Sequence, residues 1–165
     1  MVVGAKRRAV KPAAGTEAKE RTKPMLFGKR ERRINRILVV EDEPLVAFDN
    51  EHFLRDAGYA VVATVDTVPE AIEHLGSNPL DLILADISLS DGGTGLDVAH
   101  AARQAGVPLV FVTGAVIPQA ETLAIGVLAK PYSQRDLLAT IEAVEAQLDG
   151  KKPKRLPRGF TLFDG

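Results

Sequence analysis

The chain of 165 residues contains no cysteine and no tryptophan, and aromatic residues make up only 5% of it. The first absence excludes disulfides, thiolate catalysis and cysteine-based zinc sites. The scarcity of rings leaves aliphatic side chains to build the core. Long apolar runs are missing as well: Pro108, Gly114 and Pro118 interrupt the most apolar stretch, and no uninterrupted run reaches the roughly 18 residues a membrane-spanning helix needs. The basic amino terminus has no apolar segment behind it, which argues against a leader peptide. A soluble, cytoplasmic protein with no membrane partner is expected, of one domain plus something extra.

Basic residues are scarce in one place only. Residues 1–36 carry 12 Lys or Arg against 3 acids, residues 37–149 carry 4 against 18, and residues 150–165 carry 5 against 1. The formal net charge of -1 therefore conceals an acidic domain between two basic arms. The arm over 1–36 includes Lys6-Arg7-Arg8 and lacks the apolar density to fold alone, so it is expected to be disordered up to about Arg33. Met25 within it could serve as an alternative start, followed by the small apolar patch Met25-Leu26-Phe27. The tail over 150–165, with Lys151-Lys152-Pro153-Lys154-Arg155, ends in Phe160, Leu162 and Phe163; both arms are expected to be solvated, the alternatives being tethering to an acidic partner, weak nucleic-acid contact or folding back onto the acidic domain.

Between the arms, strand-like and helix-like segments alternate, which predicts an α/β fold with a doubly wound parallel sheet covered on both faces. Strands of such sheets read as continuous apolar runs. Helix signals are clear for four of five segments. Pro44 opens the first helix and Gly58 follows its end. Thr67 with Glu70, Thr94 with Asp97, and Ser133 with Asp136 have the spacing of capping boxes. Leu137, Ile141, Val144 and Leu148 form one stripe of the last helix, and Gly150 stops it. The segment between Pro118 and Gly126 spans about two turns and is too short to stand as a helix without tertiary support.

Four apolar runs end in reactive residues: Leu38-Val39-Val40 before Glu41 and Asp42, Leu82-Ile83-Leu84-Ala85 before Asp86, Val110-Phe111-Val112 before Thr113, and Val127-Leu128-Ala129 before Lys130. As parallel strands they deliver these polar ends to one sheet edge, where open α/β sheets keep their ligand crevice. Carboxylates gathered there repel one another and invite a hard divalent cation such as Mg²⁺, which takes oxygen ligands. Lys130 offers a second counter-charge and Thr113 a hydroxyl donor to an oxyanion. A carboxylate in this setting can attack phosphorus, and Asp86, the lone acid after the most apolar strand, is best placed to do so. Glu43 is expected to cap the first helix or face solvent, and Tyr132 to pack at the strand exit. His52, His74 and His100 have no ligand spacing and are assigned no role.

Val39-Val40-Glu41-Asp42-Glu43, Leu84-Ala85-Asp86, Val112-Thr113-Gly114 and Lys130-Pro131 together resemble the receiver domain of bacterial two-component response regulators, over residues 37–149. The resemblance implies a flavodoxin-like fold of strand order 2-1-3-4-5. It implies Asp86 as phosphoacceptor and an Mg²⁺ held by Asp42, by Glu41 through water, by Asp86 and by the backbone carbonyl of Ser88. Thr113 would bind the phosphoryl group and Lys130 would pair with it. Most receivers carry Tyr or Phe three residues before this lysine as a switch, and Val127 stands there instead. Pro108-Leu109-Val110-Phe111-Val112-Thr113-Gly114-Ala115 is similar to the motif of the FAT GUY receivers, which lack that aromatic and often have a degenerate fourth helix. This subfamily implies bacterial general stress signalling with a histidine kinase of the HWE or HisKA2 type. Ser90 replaces the proline usual after the phosphoacceptor loop.

Three classes of function compete on these residues. A single-domain response regulator would act as switch, relay or phosphate sink, with a downstream response regulator or phosphotransfer protein as a further partner, and would be no enzyme beyond self-catalysed phosphorylation and dephosphorylation. A haloacid-dehalogenase-like phosphohydrolase needs a second Asp two residues after the nucleophile, and Ser88 stands there. A DNA-binding regulator would have to rely on the basic arms, because 16 residues from Gly150 onward hold no helix-turn-helix. Nucleic acid is therefore not expected as a partner.

Overall fold

A computed structural model describes residues 31–164. The expectations for the amino-terminal arm up to residue 30, including a start at Met25, lie outside the described residues. A compact unit begins at Arg32. The Arg32 guanidinium stacks 4.5 Å over the Tyr59 ring and donates to the Ala57 carbonyl at 2.9 Å. Arg33 donates its backbone N–H to the Glu145 carboxylate and reaches Asp149 at 3.5 Å. Disorder of the arm is expected to end at about Arg33, and at that boundary these two cations find a carbonyl, a ring and two carboxylates on the acidic domain.

The elements run β1 (Arg36–Val40), α1 (Pro44–Asp56), β2 (Ala60–Val65), α2 (Val68–Ser77), β3 (Leu82–Ala85), α3 (Gly95–Ala105), β4 (Leu109–Thr113), a single 3₁₀ turn (Ala120–Thr122), β5 (Gly126–Ala129), α4 (Gln134–Leu148) and β6 (Phe160–Leu162). The sheet order is β2-β1-β3-β4-β5-β6, parallel except for the antiparallel β5–β6 pair. The flavodoxin-like order 2-1-3-4-5 is present, and the segment after Pro118 forms one tight turn in place of a fourth helix.

Apolar residues on both faces of each strand explain the two-layer covering. Ile37, Val39, Leu82, Leu84, Val110 and Val112 face one core with Leu54 of α1 and Leu137, Ile141 and Val144 of α4. Leu38, Val40, Ile83, Ala85 and Phe111 face the other with Ala71 of α2 and Val98, Ala99 and Ala102 of α3. Burying each Leu, Ile or Phe contributes about 1.5–3 kcal/mol. Small alanines on α3 let that helix approach the sheet closely. In α4 the Ser133 Oγ accepts from the Asp136 N–H at 3.1 Å while Asp136 accepts from the Ser133 N–H at 3.0 Å, a complete capping box. Asp81 clips the start of β1: it accepts from the Asn35 and Arg36 backbone N–H groups at 3.0 and 2.7 Å and from the Arg36 guanidinium at 2.7 Å. Buried Thr140 on α4 is an exception among the described residues, its Oγ1 having no hydrogen-bond partner.

The carboxyl-terminal tail departs from the expected solvated arm. After an exposed stretch, Phe160–Leu162 adds an antiparallel strand to the outer edge of β5. Gly126 makes this possible, since a Cβ there would lie 2.6 Å from both the Phe160 ring and the Thr161 carbonyl. The Phe163 N–H bonds the Ile125 carbonyl at 2.9 Å, and Gln147 on α4 donates to the Phe163 carbonyl at 2.6 Å. An edge strand left open would expose unpaired backbone groups, and the tail covers them.

Candidate acidic site at the sheet edge

Sheet pairing continues past the strand ends and brings the sharp residues together. The Asp86 N–H bonds the Val40 carbonyl at 2.9 Å, the Glu41 N–H bonds the Val65 carbonyl at 2.9 Å, and the Lys130 N–H bonds the Thr113 carbonyl at 3.0 Å. Behind Asp86 the chain turns tightly: Gly95 donates to the Ile87 carbonyl at 2.8 Å, and a Cβ at Gly95 would come within 2.1 Å of the Asp86 carbonyl. Only glycine allows α3 to begin so close to the strand that carries Asp86.

Carboxylate oxygens of Glu41, Asp42 and Asp86 all lie within 4.8 Å of one another. Glu41 and Asp86 are buried and Asp42 is half-buried. The Lys130 Nζ sits 2.8 Å from Asp86 Oδ2, 2.8 Å from Glu41 Oε2 and 3.3 Å from Glu43 Oε1. Asp86 Oδ1 accepts the Ile87 N–H at 2.6 Å. Burial alone would lower the Lys130 pKa, but the hydrogen bonds and charges of Asp86 and Glu41 outweigh it and hold the ammonium above its ordinary value. Burial pushes the Glu41 carboxyl up, with Lys130 and the Glu43 N–H opposing. Among the described residues Lys130 thus pairs with three acids, and Asp42 lies beside two of them. The donor set is all oxygen and strongly anionic, which fits a hard divalent cation.

Thr113 is buried, and its Oγ1 accepts the Ala115 N–H at 3.2 Å. Ser88 lies two residues beyond Asp86 in a turn closed by a bridge to Thr94. Val127 is half-buried on β5, between Phe111 and Thr161 in the registers of the flanking strands.

Three contributions to the site are not legible in the sequence. Glu43 stands at the cap position of α1 and is exposed, as expected, but it makes no side-chain cap bond there; what the sequence did not show is its bond to Lys130 at 3.3 Å. The run of three acids signalled a cluster without showing which member the lysine would take. Tyr132 does more than pack: its hydroxyl meets the Asn50 amide. A polar residue at a buried position of α1, between Ala47 and Leu54, was the available signal. The third is the close approach of Gly95 to the Asp86 carbonyl: Thr94 and Asp97 mark where α3 starts, but no local pattern announces that contact.

Residues 37–142 match the family model for the response regulator receiver domain. The phyllosphere-induced regulator PhyR of Methylorubrum extorquens is 40% identical over 79 residues, which make up 47% of this chain and 30% of that protein. The transcriptional regulatory protein BaeR of Escherichia coli is 33% identical over 126 residues, 73% of this chain and 50% of BaeR. The chain spans half or less of the length of these curated relatives. Among solved structures, a CheY-like receiver domain protein from Methanospirillum hungatei is similar with a TM-score of 0.64 at 25% identity, covering 71% of this chain and 98% of that one. A receiver protein from Sinorhizobium medicae gives a TM-score of 0.60 at 27% identity, over 68% and 94% respectively.

Proposed function

The chain belongs to the response regulator receiver domain family of two-component signalling, and from that premise we propose that it accepts a phosphoryl group from a histidine kinase onto Asp86. The observation that carries this reading is the Lys130 ammonium bridging Asp86 and Glu41 at 2.8 Å, on the edge where Asp42 and Thr113 also emerge. In the transfer, an Asp86 carboxylate oxygen attacks the phosphorus of a phosphohistidine. A P–O bond forms as the P–N bond breaks, and the electron pair leaves with the imidazole nitrogen, which then takes a proton. Lys130 stands ready to pair with a phosphoryl oxygen, and the buried Thr113 hydroxyl to donate to another.

Glu41, Asp42, Asp86 and the Ser88 carbonyl would hold Mg²⁺, which when bound supplies charge neutralisation for the transferring phosphoryl group. On this reading residues 37–149 are the receiver module, flanked by the basic arm 1–36 and the basic tail 150–165, and the protein is a phosphoacceptor without turnover of an external substrate. Val127 in place of an aromatic, the Pro108–Ala115 motif and the single 3₁₀ turn after β4 support placement among the FAT GUY receivers of general stress signalling. A kinase of the HWE or HisKA2 type is the partner implied, with a response regulator or phosphotransfer protein downstream.

The test is incubation with autophosphorylated kinases of these types, following radiolabelled phosphate on the chain over time. Label on the wild type and none on Asp86→Asn is expected. Equal labelling of the two would overturn Asp86 as acceptor. Rapid gain followed by rapid loss identifies a sink, and slow loss a signal.

A further inference from the structure

Lys130 is anchored on its amino-terminal side by its own N–H on the Thr113 carbonyl at 3.0 Å and by the Ala129 N–H on the Gly159 carbonyl at 2.9 Å. On its other side comes Pro131, which has no N–H to give. The next anchor is a side chain. The Tyr132 hydroxyl meets the Asn50 amide, accepting from Nδ2 at 2.9 Å and donating to Oδ1 at 3.0 Å. Asn50 is 9% exposed on the face of α1 that also buries Ala47 and Leu54. A buried amide is costly unless bonded, and at this position an apolar side chain would serve packing alone.

The bond spans 82 residues and joins the two poles of the acidic site. Helix α1 begins at Pro44, directly after Glu41-Asp42-Glu43. Tyr132 stands two residues after the lysine that bridges those acids. The pair also lines a cavity of about 300 Å³ shared with Glu43, Val46 and Lys130. Open space beside it leaves the loop after Lys130 without close packing on that side, while the Tyr132 ring packs against the core on the other.

We propose that Asn50 and Tyr132 are positioning residues for phosphoryl acceptance, their bond setting how far Lys130 reaches from its strand toward Asp86. Neither touches the reacting atoms. The proposal rests on the reading of Asp86 as phosphoacceptor.

The test uses the full chain with Tyr132→Phe, which keeps the ring and deletes only the hydroxyl, with Asn50→Leu, and with the double variant. The rate of phosphorylation by acetyl phosphate at saturating Mg²⁺, the Mg²⁺ affinity by calorimetry and the melting temperature are measured on each. Loss of geometry at a reacting group predicts a fall in rate of about tenfold in either single variant. The double variant should lose no more than either, since both changes break one bond. Mg²⁺ affinity should stay within about twofold, because the Asp42 and Asp86 carboxylates are untouched, and Tyr132→Phe should melt within a few degrees of wild type. An unchanged rate in Tyr132→Phe overturns the proposal, as do additive losses in the double variant. So does a parallel fall of rate, Mg²⁺ affinity and melting temperature, which marks general loosening. A wild type that takes no phosphate either from acetyl phosphate or from an autophosphorylated histidine kinase overturns the acceptor reading and the proposal together, whereas a competent wild type beside equally competent variants overturns the proposal alone.

Discussion

Asp86→Asn removes one charge from a crowded site, and the sign of its effect on stability can be worked from distances. The Asp86 carboxylate is 2.8 Å from the Lys130 ammonium. At an effective dielectric of about 20 that pair attracts by about 6 kcal/mol. Oxygens of Glu41 and Asp42 lie within 4.8 Å, and at the same dielectric each repels Asp86 by about 3.5 kcal/mol or more. Two repulsions therefore exceed the one attraction by about 1 kcal/mol. The Ile87 N–H, now bonded to Oδ1 at 2.6 Å, keeps an acceptor in the amide oxygen of Asn. The variant is expected to melt about 3–5 °C above wild type in EDTA. Scanning calorimetry in EDTA measures this directly. Added Mg²⁺ should then narrow the gap, because a cation held at ten times its Kd stabilises the wild type by about 1.4 kcal/mol and the variant offers one anionic ligand fewer. A variant melting several degrees below wild type in EDTA would refute the reasoning. It would mean that Lys130 more than compensates the crowding and that the cluster is a structural ion-pair network.

Asp81→Ala leaves the Asn35 and Arg36 N–H groups without their acceptor and should cost about 2 kcal/mol, discounted because Arg36 is partly exposed. Burial would raise the Asp81 carboxyl, but the bonds from Arg36 and Asn35 hold it below its ordinary value of 3.8. Its contribution is thus present above that value and lost as pH falls through the lower folded one, so urea midpoints of wild type and variant should converge in strong acid. Phe160→Ala empties the contact over Gly126 and should cost about 3 kcal/mol, with amide exchange rising along β5 and β6; unchanged exchange in β5 would show that the tail does not protect that edge. Beryllofluoride with Mg²⁺ should shift NMR signals from Gly114 to Ile125, because Thr113 Oγ1 holds the Ala115 N–H at 3.2 Å and the following segment has only one 3₁₀ turn. Silence there would exclude this segment as the route by which the site is felt.

What the sequence revealed about this molecule was local or periodic. Leu82-Ile83-Leu84-Ala85 reads as a buried strand because both its faces are covered, and the residue after such a strand must reach the carboxyl edge, so the pattern alone puts Asp86, Glu41, Thr113 and Lys130 at that edge. Ser133 and Asp136 are three residues apart and cap their own helix, and no distant partner is needed to see it. The tail failed on both counts. Phe160-Thr161-Leu162 is too short to alternate visibly and sits behind two prolines and five cations, and its partner strand lies more than 30 residues upstream. Asn50 failed differently. Asp49 and Glu51 flank it, so one amide on the buried face of α1 looks like part of a polar surface until register shows Tyr132 opposite.

The tail changes how the last strand can be used. In a parallel sheet ending at β5, the outer backbone of that strand would be open to pairing, and a partner could add a strand there. Here the Ala129 N–H is bonded to Gly159, Phe163 is bonded to Ile125, and Val127 stands opposite Thr161. The strand that delivers Lys130 to the site is therefore hydrogen-bonded along both edges by this chain itself. Pairing with its outer backbone requires β6 to leave, which means withdrawing the buried Phe160 ring from Gly126 and breaking the Gln147 bond to Phe163. A ring the size of Phe160 is worth about 1.5–3 kcal/mol of burial. Displacing β6 therefore costs about that much in addition to the backbone bonds it breaks.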